Sequence, residues 1–218
     1  MEELLAASRV PVLAGGSGLY IRAVLDDLDF PGTDPELRAG LEAELAEHGA
    51  ATLHHRLSQL DPVAAGRILP SNGRRLVRAL EVIQLTGRPF SAALPQPGPA
   101  RYGAVLIGLD TDPAALDMRV DARVERMFAK GLIEEVHQLL PRGLREGRTA
   151  ARALGYHQVL AALDAGVDPC CAAEPTARAT RRFIRRQRSW FRRDDRIRWL
   201  NSDHSGLLDA ALAAIADG

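Results

Sequence analysis

The sequence predicts an α/β fold interrupted by a mainly helical segment, and three observations predict it. An apolar run, Val10–Leu13, leads directly into the glycine-rich "GGSG" and then a helical pattern from about Gly18. A continuous apolar strand, a glycine turn and a helix in that order are the mark of a buried strand feeding a helix. A second such run, Ala104–Leu109, lies in "RYGAVLIGLDTD". Between them, residues 34–87 show helical punctuation and no strand alternation.

Each element has its own justification. "DPELRAGLEAELAEHG", "AATLHHRLSQLD", "DPVAAGRIL" and "NGRRLVRALEVIQLTG" read as helices. Asp34, Asp61 and Asn72 can accept from first-turn N–H groups, Pro35 and Pro62 suit the first helical position, and Gly49 and Gly87 suit helix ends. "PQPGP", residues 95–99, is a turn or linker. After the second strand, "DPAALDMRVDARVERMFAKGLIEEVHQLL" is helical again, with Leu116, Val120, Val124, Met127 and Phe128 on one face. Two parallel strands do not make a stable sheet. Either the chain begins within a domain or the α/β reading fails.

The 218 residues fit one domain with a modest insertion. Basic and acidic residues balance at 28 each, so net charge names no partner. Their distribution does. Residues 26–47 hold Asp26, Asp27, Asp29, Asp34, Glu36, Glu42, Glu44 and Glu47 against the single Arg38. Thr180–Leu200, "TRRFIRRQRSWFRRDDRIRWL", packs nine arginines among Phe183, Trp190, Phe191 and Trp199. Such asymmetry points to a polyanion at the basic end. Lys130 is the only lysine, a preference that a GC-rich genome also produces. Cys170 and Cys171 are adjacent and too few for a disulfide framework. With no membrane-length apolar run and no basic leader after Met1, the expectation is a cytoplasmic protein with no membrane partner.

Several constellations could carry chemistry. "GGSGLY" could bring backbone close to a phosphate at a helix start or form a plain tight turn; it lacks the Lys-Ser/Thr ending of a P-loop. In "SNGRRLVRALEV", Arg74, Arg75 and Arg78 sit near a helix N-terminus against the dipole, which suits an anionic partner or a solvated face. Arg119, Arg123 and Arg126 border the apolar stripe, with Asp121 and Glu125 placed to pair with them. In "RTAARALGYHQV", a helix would set Arg152 beside Tyr156, a pair suited to single-stranded RNA or to core packing. On a helix through Arg193, one row is Arg181, Arg185, Arg188 and Arg192, and another is Arg182, Arg186 and Arg193. Phe183, Gln187 and Trp190 run between them, the pattern of a helix docked on a core with its rims toward phosphates. The six histidines are scattered without ligand spacing, so no metal site is expected in this chain.

Six blocks in order carry a resemblance: "VPVLAGGSGLYIRAVLDDL", "DPELRAGLE", "LDPVAAGRILPSNGRRLVRALEVIQLTGRPFS", "RVDARVERMFAKGLIEEV", "ARALGYHQV" and "TRRFIRRQRSWFRRDDRIRWL". Together they resemble the bacterial tRNA dimethylallyltransferases, or tRNA isopentenyltransferases, over nearly the whole chain. The resemblance implies transfer of a dimethylallyl group from dimethylallyl diphosphate to N6 of the adenosine 3′-adjacent to the anticodon, with the base flipped out of its stack. It implies a P-loop NTPase-like three-layer core, a nucleotide-binding fold, with a mainly helical insertion: core residues 1–27, a tRNA-gripping insertion at 28–97, and the rest of the core at 98–218.

By the same resemblance, the tRNA-binding positions are Ser17, Arg38, Arg74, Arg75, Leu76, Arg78, Arg152, Gly155, Tyr156, Arg185, Arg186, Gln187, Arg188, Trp190 and Arg192. Arg123 falls where a cation would stabilise the leaving diphosphate. The implied partners are the tRNA anticodon stem-loop and dimethylallyl diphosphate, and the expected state is a monomer. The family carries its P-loop, magnesium (Mg2+) ligands and aspartate general base before the "VPVLAGGSGLY" block, where this chain has Met1–Arg9. The expectation is therefore an incomplete core, inactive and unstable alone. No zinc-finger pattern follows Leu200, which favours the bacterial form. Two other readings stay open: a non-catalytic RNA-binding module and a P-loop nucleotide kinase relative.

Overall fold

Aspartate, proline and glycine set the helix boundaries. The computed structural model describes residues 1–26, 31–93 and 98–217. Asp27, Asp29, most of "PQPGP" and the expected divisions at 27/28 and 97/98 fall on or beside residues outside that set. The chain forms two compact units, one of residues 1–15 and 19–104, the other of residues 16–18 and 105–218.

The first unit is helical: α1 (Glu2–Ala6), α2 (Gly18–Leu25, its first residue belonging to the second unit), α3 (Pro35–Leu60), α4 (Pro62–Arg67) and α5 (Gly73–Thr86). Asp34 starts α3 by accepting from the N–H groups of Glu36 and Leu37 at 2.9 and 3.1 Å. Asp61 closes α3 and opens α4, accepting from the Ala64 N–H at 3.0 Å and the Ser91 N–H at 2.7 Å. Asn72 accepts from the Arg75 N–H at 3.3 Å. Gly49, at φ +79°, breaks α3 internally, and Gly87 ends α5 in the left-handed region, as glycine allows. The core is Leu41, Leu53 and Leu57 of α3 against Leu76, Val77 and Leu80 of α5 and Ile68.

Val10–Leu13 does not form a strand. Residues 9–15 are irregular, and Val10 and Val12 stand 84% and 88% exposed. A strand exists only through ladder bonds to a neighbour, and no described strand pairs with this run.

The second unit supplies the sheet. β1 (Leu106–Asp110), close to the expected second strand, pairs in parallel with β2 (Ile197–Asn201), Gly108 opposite Trp199. A Cβ at Gly108 would collide with the Trp199 ring and Ile197, so glycine here makes room for the indole. Between the strands lie α6 (Pro113–Ala129), α7 (Leu132–Leu139), α8 (Tyr156–Asp164) and α9 (Ala173–Phe191); α10 (Leu207–Ala216) follows β2. The long helical run after β1 divides at Gly131, where φ is +96°. The apolar face of α6 buries Val120 and Val124 against Ala177 of α9, with Ile184 packed alongside. A larger cluster joins Leu132 and Val136 of α7 to Val159 and Leu160 of α8.

β2 corrects the expectation of a helix running through Arg193. The helix stops at Phe191, and the buried Asp194 carboxylate accepts from the Arg196 N–H and Nε at 3.2 and 2.8 Å, bending the chain into the strand. Alternation then decides: Ile197, Trp199 and Leu200 are half-buried while Arg198 and Asn201 are exposed. No helix among the described residues is long and apolar enough to cross a membrane.

Candidate nucleic-acid interface

The two arginine rows of α9 meet different surroundings. Arg181 pairs with Asp121, and Arg185 Nη2 donates to Asp117 at 2.6 Å. Arg188 Nη2 donates to Asp110 at 2.9 Å, and Arg192 donates to the same carboxylate. Asp117 and Asp121 are one turn apart on α6, and Asp110 ends β1, so one acidic ladder faces one basic row. Arg192 also lies over the Trp199 ring at 5.1 Å. Burial would raise the Asp110 carboxyl; hydrogen bonds from Arg188, Arg192 and the Thr111 N–H outweigh it and hold it below its usual value. Arg182, Arg186 and Arg193 are exposed, and among the described residues no carboxylate pairs with them.

The glycine-rich turn is fastened to the same helix. Gln187 Nε2 donates to the Gly16 carbonyl at 2.8 Å. Neither Gly16 nor Gly18 has room for a Cβ: one would strike Gln187, the other the Trp190 ring. Ser17 between them is exposed. The structure thus brings Ser17 to Gln187 and Trp190, which lie far from it in sequence. Trp190 in turn packs edge-on to Phe191 at 4.9 Å.

On α6, Arg123 and Arg126 are exposed and the expected pairing with Asp121 and Glu125 does not form. Asp121 serves Arg181 instead, and Arg119 pairs with Asp203, which also accepts from Thr111. Arg152 and Tyr156 do not share a helix. Arg152 ends a short helical turn, and Gly155, buried at φ +97°, precedes α8, which starts at Tyr156. Tyr156 donates its hydroxyl to Glu135 at 2.6 Å, and that bond, with burial, raises its pKa.

In the first unit, Arg38 and Arg78 converge on one carboxylate. Glu81, fully buried on α5, accepts from Arg38 at 2.5 Å, Arg78 at 2.8 Å and the Asp34 N–H at 3.2 Å. Arg78 also donates to the Pro31 and Gly32 carbonyls. Burial would raise Glu81, and the two guanidinium groups with the Asp34 N–H hold it low instead. Leu76 is fully buried in the helical core, so its side chain faces no partner; Arg74 and Arg75 beside it are exposed. Sequence reasoning missed Glu81, Asp110, Asp117 and Glu135. Only Glu81 carried a signal, a charge set within the apolar run "LVRALEVIQL".

The fold is similar to that of known proteins. The model of the IPP transferase family matches residues 1–194, and the chain belongs to that family. The tRNA dimethylallyltransferase of Saccharopolyspora erythraea is 66% identical over 207 residues, 95% of this chain and 67% of its own length. The crystal structure of the tRNA isopentenylpyrophosphate transferase of Bacillus halodurans is similar to 99% of this chain over 69% of its own, at TM-score 0.63 and 34% identity. A eukaryotic dimethylallyltransferase acting on tRNA shares the fold at TM-score 0.75 and 20% identity, over 99% of this chain and 57% of its own.

Proposed function

We propose that this chain serves tRNA modification: transfer of a dimethylallyl group from dimethylallyl diphosphate to N6 of the adenosine 3′-adjacent to the anticodon. The carrying observation is the family match across residues 1–194, with 66% identity to a tRNA dimethylallyltransferase. The reaction exchanges the allylic C–O bond for a C–N bond, N6 gives up one proton to the aspartate base that the family resemblance implies, and charge grows on the departing diphosphate. Arg123, exposed on α6, suits a diphosphate oxygen, where a cation lowers the barrier most. The tRNA contacts of this reading are Ser17, Gln187 and Trp190 at the fastened turn, Arg186 on α9, Arg152, Gly155 and Tyr156 before and at the start of α8, and Arg38 with the run Arg74–Arg78; Arg185, Arg188 and Arg192 serve the same interface by holding α9 in place through their carboxylates. Leu76 within that run acts by packing the helix.

The architecture that goes with it is a P-loop NTPase-like three-layer core, residues 1–27 and 98–218, around a helical insertion at 28–97. The protein is then a cytoplasmic monomer. Magnesium, which the family resemblance implies, finds no donor set among the described residues. No three His, Cys, Asp or Glu groups there suit a metal ion, and Asp110, Asp117 and Asp121 are already paired with arginines.

Deletion of the encoding gene tests the function in its native setting. Nucleoside mass spectrometry should show loss of N6-dimethylallyl adenosine and its derivatives from tRNA, restored by the gene. Unchanged modification would overturn the proposal.

A further inference from the structure

Nine arginines in one stretch of a neutral chain need not all serve a partner. We infer that only one of the two rows, Arg182, Arg186 and Arg193, forms the surface that grips RNA phosphates. The other row is largely compensated within the protein, its four guanidinium groups facing the three carboxylates of Asp110, Asp117 and Asp121. The inference takes its partner class from the tRNA reading above and goes against an even use of the segment.

Three observations carry it. The inner row, Arg181, Arg185, Arg188 and Arg192, meets a carboxylate at every position. A guanidinium whose charge a carboxylate already offsets attracts a phosphate less and releases fewer counterions on binding it, so its net gain is small. The outer row lies about a quarter turn round the helix. Its three side chains are exposed, and no carboxylate among the described residues pairs with them. Arg182 and Arg186 are one turn apart on one face, and Arg193 continues that face just past the helix end. Finally, the inner row is fixed from behind. Arg192 lies over Trp199, and Arg188 shares Asp110 with it, so the row braces α9 on β1, β2 and α6. A braced helix with one uncompensated cationic edge suits the spaced phosphates of an RNA backbone; three unpaired like charges on one face otherwise only repel.

The test is binding of a fluorescent anticodon stem-loop, and of an unrelated RNA hairpin, across a potassium chloride series. Wild type, R182Q/R186Q/R193Q and R185Q are compared, with circular dichroism to confirm folding. The outer-row triple variant should lower the slope of log affinity against log salt by about two to three, near one for each phosphate no longer neutralised. R185Q should leave the slope within about half a unit of wild type. D117N/D121N, which frees Arg181 and Arg185, should steepen it by about one to two. If R185Q flattens the slope as much per residue as the triple variant does, or if the triple variant leaves it unchanged, the division of the rows is wrong. A slope abolished in the triple variant with both RNAs, in a protein whose deletion leaves tRNA modification intact, would retain the surface and reject the tRNA function. A wild-type slope near zero overturns both.

Discussion

The Trp190 ring occupies the space that a side chain at Gly18 would need. One tryptophan from α9 thereby requires glycine in a turn far earlier in the sequence, and Gln187 secures the same turn through the Gly16 carbonyl. Gly18→Ala should force the indole aside. The expected cost is about 1–3 kcal/mol, as for other overpacked sites. Thermal unfolding should show it, and stem-loop affinity should fall with it because Ser17 loses its setting. An alanine variant with unchanged melting temperature would remove the steric argument.

Glu81 predicts a larger effect. Removing it takes the buried acceptor from Arg38 and leaves Arg78 only the Pro31 and Gly32 carbonyls, and losing both charge-assisted bonds should cost about 3 kcal/mol. Glu81→Ala should unfold the helical unit at lower denaturant concentration. Glu81→Gln, which keeps an acceptor oxygen but loses the charge, should fall between. Equal stability of Glu81→Ala and wild type would show that the Arg38 pairing adds nothing and that the Pro31 and Gly32 carbonyls suffice for Arg78.

Much of this arrangement was legible in the sequence, for physical reasons. Caps are local: Asp34, Asp61 and Asn72 act on N–H groups two or three residues away, so their positions fixed the helix starts. Gly49 and Gly87 likewise marked breaks through their own backbone angles. The apolar stripe of α6 declared its buried face. What was not legible depended on distant partners. Val10–Leu13 has strand composition, yet composition cannot supply a neighbouring ladder. "RIRWL" has strand alternation, but an arginine row of helical period runs up to Arg193 just before it, and only the Asp194 turn separates the two. At the site, arginine spacing revealed two rows, but the carboxylates that distinguish them come from β1 and α6, between 60 and 82 residues away.

Asp110 should matter in proportion to the two arginines it holds. Asp110→Ala removes the acceptor for Arg188 and Arg192, and losing charge-assisted hydrogen bonds here should cost about 2 kcal/mol. The same change adds one net positive charge beside α9. RNA affinity at low salt should therefore rise, and its salt slope should steepen, while stability falls. A merely disruptive change would lower both together, so the opposite signs are diagnostic.

The acid limb of the stability profile is set by Asp61, Glu81 and Asp110, with a smaller share from exposed Asp203, which Thr111 and Arg119 also hold low. Asp61, Glu81 and Asp110 are each desolvated, which alone would raise them, and each is pulled below its ordinary value by the hydrogen bonds it accepts. Those ordinary values are 3.8 for the aspartates and 4.5 for the glutamate. Between the folded and unfolded values the unfolded chain binds more protons, so stability rises with pH there. The contribution is fully present above the unfolded values and is lost as pH falls through the folded ones. Melting temperature should be flat with respect to these groups from about pH 6 to 8 and drop steeply below about pH 4.5. In Glu81→Gln the drop should be shallower, because one of the three titrations is gone. An unaltered acid limb in that variant would show that Glu81 carries no linked proton, and the pairing with Arg38 and Arg78 would then add nothing to stability.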